Sequence, residues 1–145
     1  MKKKEKYMGL SDDDKIMFAD FIEWFNLNKS KGTFCFEDPK FQSFKNNNDI
    51  ELDYESPIPN VIKKPNTIIY KKNKSKVGDL ARHIRNAYSH STIQKENGYF
   101  IMSDFDYYKT REITMRGKIT VELMQDLLDA IRNNKRNRKK SRISN

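Results

Sequence analysis

Apolar residues recur along this chain at two different spacings, and the changes between them divide it into elements. After Ser11, the positions Met17, Phe18, Phe21, Ile22 and Phe25 follow at three- and four-residue steps, the stripe of an amphipathic helix. Ser11-Asp12-Asp13-Asp14 has the pattern of a capping box and sets three acids at the positive end of the helix dipole. Lys29 and Lys31 lie near the other end, and Gly32 supplies the stop. An aromatic stripe of this kind belongs to a core or a dimer interface rather than to a base-stacking platform. A second helix is predicted from Ser75 to Ser89, with Val77, Leu80, Ala81, Ile84 and Tyr88 on its buried face. On a wheel of about 100° per residue, Arg85 falls at the edge of that stripe and Asn86 points away from it. Thr120 caps a last helix that turns Val121, Met124, Leu127, Leu128 and Ile131 to the core.

The spacing shortens between Gly98 and Arg116. Tyr99-Phe100-Ile101-Met102 and Glu112-Ile113-Thr114-Met115 are strand-like pieces around a polar, aromatic centre, which predicts a hairpin. Residues 33–74 are less regular. Asp38-Pro39 opens a short helix through Phe41 and Phe44, and Asn46-Asn47-Asn48 breaks it. Pro57, Pro59 and Pro65 keep the next stretch extended or looped, while Thr67-Ile68-Ile69-Tyr70 is too short to tell strand from helix. Helices dominate, so the expected class is mainly α.

Composition narrows the setting. The 145 residues suit one domain, and nine Phe, seven Tyr and one Trp give bulk to an apolar fraction of only 36%. The single Cys35 has no disulfide partner within the chain and no zinc-ligand spacing around it, which fits a reducing compartment. No apolar run approaches the roughly 20 residues of a membrane span, and Met1-Lys2-Lys3-Lys4-Glu5-Lys6 is not a secretory signal. A soluble cytoplasmic protein without membrane contact is expected.

The net charge of +9 is concentrated at the ends. Residues 1–6 hold four lysines against one glutamate, and residues 132–145 hold seven Lys and Arg without an acid, leaving the body close to neutral. This divides the chain into a basic N-terminal arm over 1–10, one domain over 11–132 and a basic disordered tail over 133–145. Basic arms suit a polyanion or simply maintain solubility. Within the body, Lys63, Lys64, Lys71, Lys72, Lys74 and Lys76 run without an intervening acid. With Arg82, the lysines from Lys71 onward are the candidate RNA-binding residues.

That stretch leads into Ile84-Arg85-Asn86-Ala87-Tyr88-Ser89-His90-Ser91, which carries the candidate chemistry. Arg85 is a permanent cation suited to a phosphate, and histidine is the side chain that exchanges a proton near neutral pH. Five residues of ideal helix rotate by about 140°, so the two share a site only if the helix ends before His90 or two chains contribute. Tyr88 reads as core. His83 and His90 would lie about 10 Å apart along the axis, too far to share a metal whose bonds to nitrogen are about 2 Å. No metal or cofactor is expected, and His83 reads as a surface histidine. Ser89 and Ser91 lack a nucleophile elbow, and no Gly-rich phosphate loop or Walker pattern occurs.

Arg85-Asn86-x-x-x-His90 at the end of an amphipathic helix resembles the motif of the HEPN superfamily of small helical RNases. Ser91 stands where those proteins often carry glycine. The resemblance rests on about ten residues, with loose agreement in helix order elsewhere. It implies an HEPN-like antiparallel helical bundle with a small β-hairpin before the last helix. It further implies a metal-independent endoribonuclease, a toxin or defence effector restrained by an antitoxin, working as a homodimer with a composite site. In that scheme Arg85 holds the scissile phosphate, His90 moves a proton and Asn86 orients one of them. The competing expectations are a non-catalytic RNA-binding module and a structural or regulatory homodimer joined through the aromatic first helix.

Overall fold

This computed structural model describes residues 9–137. Ser11 and Asp14 close the capping box reciprocally, at 3.1 and 2.9 Å, and open helix α1 (Asp12–Asn28). Then follow β1 (Thr33–Phe34), α2 (Pro39–Asn47), β2 (Glu51–Asp53), β3 (Thr67–Tyr70) and α3 (Lys76–Ser89). The chain continues through β4 (Ile93–Glu96), β5 (Tyr99–Phe105), β6 (Ile113–Thr120), α4 (Val121–Arg132) and β7 (Arg136–Asn137). All four predicted helices form close to their expected limits, and β5 and β6 form the predicted hairpin.

The expected mainly α bundle does not form. The protein is α/β, built on a five-stranded mixed sheet of order β2-β3-β6-β5-β4. Only β2 and β3 are parallel, joined through the proline-bearing residues 54–66. The hairpin is therefore the centre of a sheet rather than an appendage to helices. On its covered face Phe100 pairs with Ile119, Met102 with Gly117 and Tyr70 with Met115, and all six residues are buried. A Cβ at Gly117 would come within 3.0 Å of Met102 Cε and 3.1 Å of Ile68 Cγ1, so glycine leaves room for both side chains. Helices α3 and α4 pack on β5, and α1 packs across both helices. The α1 stripe supplies Phe18, Phe21 and Phe25 to the core of this one chain.

The C-terminal boundary also moves. Residues 133–137, assigned to the basic tail from sequence, are folded against β1. Asn134 is buried and bonds both backbone groups of Cys35, at 2.8 Å each, before β7 pairs with β1. Residues 1–8 and 138–145, which hold most of the two basic arms, lie outside the described residues. No helix among those described is long and apolar enough to cross a membrane.

Candidate functional site

The end of α3 decides whether Arg85 and His90 share a site. The helix stops at Ser89, and His90 is its C-cap, donating its N–H to Asn86 O at 2.9 Å. The Thr92 N–H bonds Ala87 O at 2.8 Å and the Ser91 N–H bonds Tyr88 O at 3.1 Å, the two bonds of a Schellman motif. Ser91 takes φ 61°, the left-handed conformation that glycine favours in this position. The serine therefore makes the turn that a glycine would make. Because helical rotation ends there, Arg85, Asn86 and His90 all line one cleft of about 530 Å³ within a single chain.

Arg85 is half-buried and held by neutral groups. Its Nε donates to Asn86 Oδ1 at 2.8 Å, and Nη1 donates to Asn26 Oδ1 at 3.2 Å. The guanidinium carbon lies 5.4 Å from the centre of the Phe25 ring. No carboxylate among the described residues forms an ion pair with it. Burial and the neighbouring Arg82 lower its ordinary pKa, against the opposing pull of Asp104 and Tyr108. It remains a cation, since arginine starts so high. Such a group is fixed in direction and makes no direct ion pair, which favours an incoming anion.

Asn86, which the wheel sets away from the apolar stripe, still reaches the sheet. Its Nδ2 donates to Asp104 Oδ2 at 3.3 Å, tying α3 to the end of β5. His83, read from sequence as a surface residue, is buried. Its Nε2 bonds the Lys71 carbonyl at 2.9 Å, and Nδ1 faces Asp104 Oδ2 at 2.8 Å. A carbonyl only accepts, so Nε2 carries a hydrogen. A proton must then lie between Nδ1 and Asp104, whichever of the two holds it. The pair is satisfied and buried, and through Asn86 it sets the direction of Arg85.

His90 is exposed at the cleft and stacks on Tyr107, with ring centroids 3.9 Å apart and planes 24° apart. Burial, opposed by Thr92 and assisted by Asp104, pushes the Tyr107 phenol above its ordinary value, so it stays protonated. Both rings follow from local structure: the Schellman turn sets His90, and an irregular register at Asp104/Phe105 precedes Tyr107.

The candidate RNA-binding residues are not brought together. Lys71 and Arg82 line the cleft, although Lys71 lies 3.3 Å from Glu112 and Arg82 lies 3.5 Å from Asp79. Lys72 and Lys74 are exposed outside the cleft lining. Lys76 Nζ sits over Tyr54 and Phe36, 4.6 and 5.1 Å from the ring centres, and is occupied within the fold. Lys64 pairs with Glu51 at 2.9 Å. Tyr88, read as core, is only half-buried: it packs against the edge of the core and stacks on Phe18 with centroids 5.4 Å apart.

Sequence reasoning missed Asn26, His83, Asp104, Tyr107 and Tyr108. One signal was present: His83 stands three residues after Leu80 and four before Ala87, both buried. Among the described residues, no group of three or more His, Cys, Asp or Glu side chains is arranged to hold a metal ion. No protein-family model, curated protein or solved structure matches the chain.

Proposed function

We propose that this protein is a metal-independent endoribonuclease whose site is the cleft at the C-terminal end of α3. The observation that carries the reading is the half-buried Arg85 guanidinium, held by two amides without a carboxylate partner in the cleft that His90 also lines. An RNA phosphate would meet Arg85, with Arg82 adding positive potential. His90 would serve one of the two proton transfers, from the attacking 2′-hydroxyl or to the departing 5′-oxygen. Glu112, an exposed carboxylate that lines the same cleft beside Lys71, would serve the other, since Asp104 and Asp106 are engaged within the fold. Arg85 would stabilise the charge that develops on the phosphoryl oxygens. Attack by the 2′-oxygen requires RNA, and an RNA substrate suits a cytoplasmic setting.

The support comes from the cleft and not from a helical bundle. Arg85 and His90 reach one cleft without a second chain, so the reading no longer needs a composite site to unite them. A homodimer would instead supply a second His90 in place of Glu112. The purified protein is expected to cut single-stranded RNA in excess EDTA. Arg85→Ala and His90→Ala should each lower the rate at least about 100-fold while circular dichroism stays unchanged. Full cleavage by either folded variant would refute the assignment.

One observation favours a second reading, an RNA-binding module that does not cut. Arg85 already uses Nε and Nη1 within the fold, an arrangement sufficient for docking a phosphate. Salt-sensitive RNA binding without cleavage, lost in Arg85→Ala and kept in His90→Ala, would select it.

A further inference from the structure

We propose that Tyr108 is a base-stacking platform that makes this cleft select single-stranded RNA, an inference that rests on RNA being the ligand. Tyr108 is 92% exposed, although an aromatic ring of this size is ordinarily at least partly covered. Tyr108 also lines the cleft that holds Arg85 and His90.

The loop beneath it is firmly built. The Asp106 carboxylate accepts the N–H groups of Tyr108, Lys109 and Thr110, at 3.2, 3.1 and 3.5 Å, and the Thr110 hydroxyl at 3.2 Å. Asp106 N bonds Glu112 O and Arg111 N bonds Asp106 O, both at 2.8 Å, closing the loop across the hairpin. The exposed ring is therefore presented on an ordered frame, so binding loses little loop entropy. The adjacent tyrosines of the cleft differ in cover: Tyr107 stacks on His90, while Tyr108 is left open to solvent.

A nucleotide with its phosphate at Arg85 would set its base beside the cleft, where Tyr108 is the lining aromatic left open to solvent. Duplex RNA keeps its base faces stacked inside the helix and cannot use such a ring. Stacking is tolerant of base identity, so the platform would select strandedness more than sequence. It also turns the cleft from a general anion receptor into a nucleotide site.

The test uses the His90→Ala protein, so that the ligand survives. A labelled single-stranded oligoribonucleotide and a duplex of the same sequence are titrated at low salt. The single strand should bind more tightly than the duplex. Adding Tyr108→Ala should weaken single-strand binding by roughly five- to 100-fold, with little effect on the duplex. Adding Tyr108→Phe should change it less than about twofold, because phenylalanine keeps the π-face. Single-strand binding unchanged by Tyr108→Ala, or a duplex preference, would overturn the platform and leave the RNA reading intact. Absence of RNA binding by both wild-type and His90→Ala proteins would sink both together.

Discussion

Ser91 bears a backbone conformation that costs an L-residue about 1 kcal/mol and glycine nothing. Ser91→Gly should therefore raise stability, by roughly 0.5 kcal/mol once the greater freedom of the unfolded chain is subtracted. Ser91→Val should lower it by more than about 1 kcal/mol, since β-branched residues tolerate this region poorly. Urea denaturation reads both, and a valine variant as stable as wild type would contradict the turn. Residue-level legibility was uneven for a related reason. Arg85, Asn86 and His90 are consecutive enough to show as a motif, whereas Asn26 and Asp104 reach the site only through the fold. His83 was misread because α3 is covered by both α1 and the sheet, giving it a broader buried arc than a single stripe.

Elements declared themselves in proportion to their length. Helices of nine to 17 residues carry caps and several turns of periodicity, which a sequence displays directly. Strands β2, β3 and β4 have three or four residues, too few for alternation to be distinguished. Pairing of β2 with β3, β3 with β6 and β4 with β5 makes them strands, and such pairing is not a local property. The α1 N-terminus shows how elements are joined: Lys95 of β4 reaches the Asp14 carboxylate at 2.8 Å. Burial alone would raise Asp14, but hydrogen bonds from Lys95 and Ser11 outweigh it and leave the carboxyl below its ordinary value. Its ionised form therefore stabilises the fold above the unfolded-state pKa, and that contribution is lost as pH falls through the lowered native value. Asp14→Asn should cost about 1 kcal/mol at neutral pH. Its deficit relative to wild type should shrink in strong acid, where wild-type Asp14 is also protonated. A deficit unchanged between pH 7 and pH 2 would contradict the Lys95 contact.

At the scale of the molecule, one change of class reorganised the site. In a bundle, α3 would pack chiefly against other helices, with no strand end to carry Asp104 beneath Asn86. Packed on a sheet, α3 meets the inward end of β5, where Asp104 extends the row of Phe100 and Met102. The His83–Asp104 pair that results places polar groups in an otherwise apolar layer. Removing either partner would strand the other, but replacing both with hydrocarbon is a different experiment, because buried ion pairs often contribute less than well-packed leucines. The double variant His83→Leu with Asp104→Leu should be destabilised less than either single variant, although the Lys71 carbonyl and the Asn86 amide lose a partner. The proposed RNA cleavage should fall at least about tenfold as Asn86 loses its anchor. Chemical denaturation and a cleavage assay on the same preparation separate the two effects. Structure kept while the work is lost would mark this pair as built for direction before durability, a polar brace that the fold itself could do without.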